Sequence, residues 1–151
     1  MKTLILILVS FQLTAQTTLK ELLPSIQREN VREFLKLTYP EAKRVQQEYG
    51  VPIALCLAQS ALETGFGSSR ICLEQNNYFG VRRKHKYCSY PDMKASFTDY
   101  GGVLNQSCYQ KLSPKDLDGW LAALRACGYF KSENYEKKIN SIIYKYGFDL
   151  L

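Results

Sequence analysis

Residues 52–62, PIALCLAQSAL, constrain the fold more than any other stretch of this chain. Proline is tolerated in the first turn of a helix. Behind it, Ile53, Ala54, Leu55, Cys56, Leu57, Ala58, Ala61 and Leu62 leave almost no polar face. A helix apolar on nearly every side has nothing to offer water and belongs at the centre of a domain. The other elements must wrap it, and it is expected to stop near Gly65.

The flanks supply the wrapping. Leucines and charged residues over Thr18–Leu37 predict a helix interrupted by Pro24. Tyr39-Pro40 predicts a restart that runs through Glu41–Glu48 and stops at Gly50. Ser68-Ser69 predicts a cap for a short helix over Arg70–Gln75. Asn76–Val81 reads as a turn into extended chain, and the Tyr, Ser and Pro punctuation of Lys86–Phe97 predicts a small hairpin or irregular lobe. Helix is predicted again over Thr98–Gln110 and from Ser113-Pro114 to Cys127. A last helix follows Ser132, with Tyr135, Ile139, Ile142, Ile143 and Tyr146 on one face. The expected class is α+β, mostly α-helical, with a minor β-lobe after Gly80. A length of 151 residues fits one domain able to bury a core without staples.

The first fifteen residues stand apart. Lys2 precedes the apolar run Leu4–Leu8, which continues through Val9, Phe11 and Leu13, and small residues follow to Ala15. This is the layout of a secretory signal, too short to span a bilayer as a mature helix, with cleavage expected after Ala15. The expected organisation is a signal over residues 1–15 and one domain over 16–151. The location is secreted, periplasmic or cell-envelope, with no membrane segment after cleavage. Export permits disulfides among Cys56, Cys72, Cys88, Cys108 and Cys127, and the odd count leaves at least one thiol unpaired. Cys56, inside the apolar helix, reads as a buried thiol. The single His85 and the lack of a CxxC pair argue against a metal site, and no cofactor is expected. A net charge of +6 favours anionic partners such as cell-wall polymers or lipid headgroups. Arg82-Arg83-Lys84-His85-Lys86 is the densest basic run and reads as a solvated loop. Without interleaved base-reading residues it does not predict nucleic-acid binding. A monomer is expected.

Glu63, in ALETGFG (residues 61–67), is the candidate for chemistry. It falls at the C-terminal end of the apolar helix, where the partial negative charge of the helix end and desolvation both raise a carboxyl pKa. A raised pKa suits a general acid. Gly65 and Gly67 allow close backbone approach, and Phe66 between them either walls a pocket or packs inward. On local physics alone, a solvated helix terminus remains the commoner reading of such a glutamate.

The stretch Tyr49–Arg82 resembles the peptidoglycan N-acetylglucosaminidases of glycoside hydrolase family 73. The resemblance rests on Gly50-Val51-Pro52, on Ala58-Gln59-Ser60-Ala61-Leu62-Glu63-Thr64-Gly65-Phe66-Gly67, and on Asn76-Asn77-Tyr78-Phe79-Gly80. Downstream, Lys94-Ala95-Ser96-Phe97 with Tyr100 is similar to the family's strand-to-helix return. Trp120, Leu124, Gly128-Tyr129 and Asn134-Tyr135 are similar to its C-terminal helix pair. The resemblance runs from about Lys20 to the C-terminus.

It implies a lysozyme-like domain with a groove for a peptidoglycan glycan strand, and Glu63 as the catalytic acid. Tyr135, nearest Glu63, and Tyr129 match aromatic positions lining that groove. Asn76, Asn77 and Phe79 match a motif that shapes the cleft floor, on the substrate side with Phe66. The implied reaction is cleavage of the β-1,4 bond between N-acetylglucosamine and N-acetylmuramic acid. The alternatives are an N-acetylmuramidase or lytic transglycosylase, or a non-catalytic wall-binding protein. One departure from the family matters. Many members carry a second acidic residue in the β-lobe, where this chain offers only Asp92. Asp92 activating water, the substrate's own acetamido group acting as nucleophile, and a weakened activity all stay open.

Overall fold

The computed structural model describes residues 17–109 and 112–151; the signal assigned to residues 1–15 lies outside them. Seven α-helices and one two-stranded sheet are described. A one-turn helix α1 (Leu19–Leu22) is capped by a Thr18–Glu21 capping box and ends in a 3-10 turn containing Pro24. The long α2 (Glu29–Tyr49) follows, then α3 (Ile53–Thr64) and α4 (Arg70–Gln75). Strands β1 (Arg82–Arg83) and β2 (Lys86–Tyr87) pair antiparallel, and α5 (Met93–Leu104), α6 (Leu117–Ala126) and α7 (Glu133–Tyr146) complete the fold.

The apolar helix does what its sequence demands. In α3, Leu55, Cys56, Leu57 and Ala58 are fully inaccessible to water, and α2 and α7 pack along it. Burying each leucine contributes roughly 2 kcal/mol, so this one helix anchors the core. α2 offers it a stripe of Val31, Phe34, Leu35, Thr38, Ala42 and Val45, and α7 offers Ile139 and Ile143.

Three expectations change. Helix α2 does not break at Tyr39-Pro40. Its buried stripe continues in phase across Pro40, which sits on the exposed side, where a carbonyl deprived of its N–H partner can take water. Tertiary burial outweighs the local cost. The hairpin comes earlier than expected, over Arg82–Tyr87. Lys84 and His85 at its tip both have positive φ, 49° and 66°, as a two-residue turn of this kind requires. Helix α5 also starts earlier, at Met93, because Asp92 caps it by accepting from the Ala95 N–H at 2.7 Å. The basic run is therefore a structured hairpin. Arg83 pairs with both Asp99 oxygens at 2.7 and 2.9 Å and ties the lobe to α5.

Candidate active site

Glu63 is the penultimate residue of α3, which closes on Gly65 in the left-handed conformation. The end of the buried helix emerges at the floor of a cavity of about 470 Å³. Phe79 to Arg82 line it from the turn leading into β1. Tyr100 and Val103 come from α5, and Tyr129, Phe130 and Tyr135 from the junction of α6 and α7. Three further segments thus converge on the carboxyl at the end of α3.

The approach is close. Gly80 has a φ of 62°, and a Cβ there would lie 3.2 Å from Glu63 Oε2. Only glycine combines that backbone conformation with that spacing. Glu63 keeps an exposed edge at the cavity mouth, but the protein packed around it partly desolvates the carboxyl and raises its pKa, while the Tyr135 hydroxyl favours the ionised form and works the other way. Desolvation is the larger effect, so the group keeps its proton to higher pH than an ordinary glutamate.

Tyr135 is held from both sides. Its ring stacks on Phe130 with centroids 5.0 Å apart, and its hydroxyl accepts from Gln59 Nε2 at 3.1 Å. Burial, then the Glu63 charge, push its own pKa up; Gln59 pulls it down. Tyr129 is pushed up by burial and by the neighbouring Tyr135 and Glu63. Phe79 and Tyr100 stack face to face, centroids 3.9 Å apart and 7° from parallel, and form the opposite wall.

The residues singled out in the sequence separate into two groups. Glu63, Phe79, Tyr129 and Tyr135 meet in the cavity. Asn76, Asn77, Phe66 and Asp92 are not among its lining residues. Asn77 is buried and spends its amide on the lobe backbone, donating to the Val81 and Cys88 carbonyls at 2.9 Å and accepting from the Val81 N–H. Asn76 donates to the Tyr90 carbonyl. Both asparagines therefore shape the lobe that carries Gly80 to Glu63. Phe66 packs edge-on against Phe34 and Tyr146 with Arg28 over its ring, the inward alternative. One Asp92 carboxylate oxygen is engaged at the α5 cap.

Sequence reasoning missed Gln59, Gly80, Arg82, Tyr100 and Phe130 as site residues. Gln59 carried a usable signal, as a polar residue one turn before Glu63 on an otherwise apolar helix. Arg82 had none beyond the basic run; its guanidinium sits 4.2 Å from the Tyr87 ring centroid, at the cavity edge. Glu63 is the one carboxylate lining the cavity among the described residues, and they contain no His/Cys/Asp/Glu cluster able to hold a metal ion.

The cavity wall next to Tyr129 is stapled. Cys108 and Cys127 form a disulfide, with Cα atoms 6.3 Å apart, at the C-terminal end of α6. Cys56 and Cys72 are buried thiols, and Cys88 is a partly exposed one.

Comparison with known proteins places this arrangement. The glucosaminidase family, described as mannosyl-glycoprotein endo-beta-N-acetylglucosaminidase, matches residues 39–148. That span runs from α2 to the end of α7 and includes every residue lining the cavity. The fold is similar to a peptidoglycan hydrolase from Sphingomonas sp. A1, with a TM-score of 0.65 and 25% identity over 77% of this chain and 89% of that one. It is also similar to the glycoside hydrolase domain of FlgJ from Salmonella typhimurium, with a TM-score of 0.64 and 26% identity over 76% and 87%. A Staphylococcus aureus protein containing an N-acetylmuramoyl-L-alanine amidase domain is 24% identical over 80% of this chain, which spans a quarter of that relative's length. The chain belongs to the glucosaminidase family of glycoside hydrolases and has its lysozyme-like fold.

Proposed function

We propose that this chain is an exported peptidoglycan hydrolase that cleaves the β-1,4 bond between N-acetylglucosamine and N-acetylmuramic acid, with Glu63 as general acid. The observation that carries the proposal is a carboxyl at the end of a buried helix, on the floor of an aromatic-walled cavity, where desolvation shifts its pKa upward. Aromatic walls suit sugar rings, which present apolar C–H faces and hydroxyl edges.

The single carboxylate in the cavity lining supports a substrate-assisted route. Two-carboxylate hydrolysis needs a second group about 5–9.5 Å from the first, and none lines the cavity among the described residues. The substrate's acetamido oxygen then acts as the nucleophile. Glu63 gives its proton to the glycosidic oxygen, the C1–O bond breaks, and the acetamido oxygen bonds C1. The ionised Glu63 next takes a proton from a water that attacks C1 and reopens the ring. The acetamido group is restored and Glu63 is reprotonated. Tyr129 and Tyr135 hold the sugar and face the positive charge that develops at C1.

Export draws support from the apolar leader over residues 1–15 and from the Cys108–Cys127 disulfide, a bond that oxidising compartments sustain. Digestion of purified peptidoglycan by wild type and Glu63→Gln, with mass analysis of the new ends, tests the assignment. Reducing-end N-acetylglucosamine from wild type alone supports it. A reducing muramic end, or an anhydro-muramyl end, refutes the bond in favour of a muramidase or lytic transglycosylase. Wall binding without cleavage by either protein refutes catalysis.

A further inference from the structure

Gln59 has no solvent exposure and is the residue one helical turn before Glu63. A buried primary amide is costly unless both its ends are paired. Here both are. Oε1 accepts from the hydroxyl of Tyr100, and Nε2 donates to the hydroxyl of Tyr135. Tyr100 is itself almost wholly buried, and its ring is clamped by the stack on Phe79.

The chain has a direction. Tyr100 has one hydroxyl proton and gives it to Oε1, which turns the amide NH₂ toward Tyr135. Tyr135 therefore accepts from Gln59, and its own single proton is left free on the side of the cavity that it shares with the Glu63 carboxyl. With the amide reversed, Oε1 would face Tyr135 and draw that proton inward, away from the cavity that Glu63 lines. An Asn/Gln amide has two distinguishable ends, and here the buried Tyr100 hydroxyl sets which end faces Tyr135.

We infer that Gln59 is a positioning residue: held by Tyr100, it orients the Tyr135 hydroxyl so that its proton supports the Glu63 carboxylate formed when the glycosidic oxygen is protonated. The inference rests on Glu63 being the general acid. The carboxylate is the form that appears as the glycosidic oxygen is protonated, so this support acts on turnover more than on substrate binding. The other titratable groups around Glu63 are Tyr129 from the α6–α7 junction, Tyr100 from α5 and Arg82 from the hairpin.

The test is the pH profile of peptidoglycan cleavage by wild type, Gln59→Met, Tyr135→Phe and the double variant, with thermal stability measured alongside. A general acid must be protonated, so activity falls as pH rises through its pKa. Tyr135 favours the ionised form, and removing it moves that falling limb to higher pH. Gln59→Met is expected to move the limb the same way and lower kcat about tenfold, with KM held within about twofold. The double variant is expected to be no worse than Tyr135→Phe alone. An unmoved limb in an active, folded Gln59→Met protein, or losses that multiply in the double variant, overturns the positioning role.

If Gln59→Met fails to fold, Tyr100→Phe replaces it. That change removes one oxygen and leaves the amide free to reverse. A limb shifted to higher pH supports the inference, and an unmoved limb overturns it. A wild-type protein that leaves peptidoglycan intact overturns the hydrolase assignment and this role with it. Active wild type with an unmoved limb in the variants overturns only the role of Gln59.

Discussion

Gly80→Ala isolates the approach of the β-lobe to Glu63, because the structure supplies a matched control. Gly80 and Gly50 have nearly the same backbone, with φ of 62° and 73°. A Cβ at Gly50 meets nothing within 4 Å, whereas one at Gly80 falls 3.2 Å from Glu63 Oε2. Alanine in the left-handed region costs about 1–2 kcal/mol, so both variants should lose a few degrees of Tm. Only Gly80→Ala must also push the carboxylate by a few tenths of an ångström to restore ordinary contact. A displacement of about 1 Å can cost roughly 100-fold in rate, and scaled to this shift the loss is about 3- to 10-fold. The added methyl also removes more water from the carboxyl, so the falling limb of the pH profile should move upward. The assay is kcat on soluble glycan fragments below the melting transition, with Gly50→Ala in parallel. Equal activity losses in the two variants, or full activity in Gly80→Ala, would refute the claim that the lobe sets the position of Glu63.

Three other outcomes are expected. Glu63 has a folded pKa raised above that of an ordinary glutamate, so its favourable contribution is full below the unfolded value and is lost as pH rises through the folded one. Glu63→Gln should therefore raise Tm at pH 7 relative to wild type, with the gain vanishing below about pH 4; a lower Tm at pH 7 contradicts this. Asp92→Asn keeps a capable N-cap and should preserve both stability and cleavage, whereas Asp92→Ala should cost about 1 kcal/mol and leave kcat unchanged. A loss above about 100-fold in a folded Asp92→Asn protein would instead make Asp92 the second catalytic group. Reducing the Cys108–Cys127 bond, which spans a sequence separation of 19, should cost about 3 kcal/mol. Activity should fall before global unfolding, because Tyr129 and Phe130 lie two and three residues after Cys127; full activity in the reduced, folded protein would show that the wall does not need the staple.

What could be read from the sequence was decided by single dominant forces. The Pro52–Leu62 run had one stable destination, and it is the core. Ser69 and Ser132 announced their helices because a side-chain cap is a local device. The Pro40 break failed because one buried stripe on α2 spans it, and burial is a tertiary quantity. The hairpin was misplaced because its left-handed positions are filled by Lys84 and His85 rather than Asn or Gly. At the site, Glu63 stood out by family pattern and helix position together. Gly80 and Tyr100 did not, because their roles exist only once the turn before β1 and the middle of α5 reach the end of α3. Asn77 was legible as a motif but not as a function. Its three bonds to Val81 and Cys88 show a lobe-folding role that no spacing announces.

Core and site are one structure here. The helix that anchors the domain also presents Glu63, and the Phe79–Tyr100 stack is at once buried packing, cavity wall and support for Gln59. Substitutions in that stack will not separate into stability and activity effects, since a ring that shifts moves the amide, then Tyr135, then the proton at Glu63. The outer face of the cavity differs. Arg82 rests on Tyr87 in an exposed hairpin fixed by the Arg83–Asp99 pair, away from the chain of buried hydrogen bonds. Changes at Arg82 should therefore alter how substrate is held while leaving the folded core and the Glu63 pKa in place. That division follows from where desolvation acts: at Glu63 it is the largest influence on proton affinity, and at the exposed hairpin solvent screens what a cation can contribute.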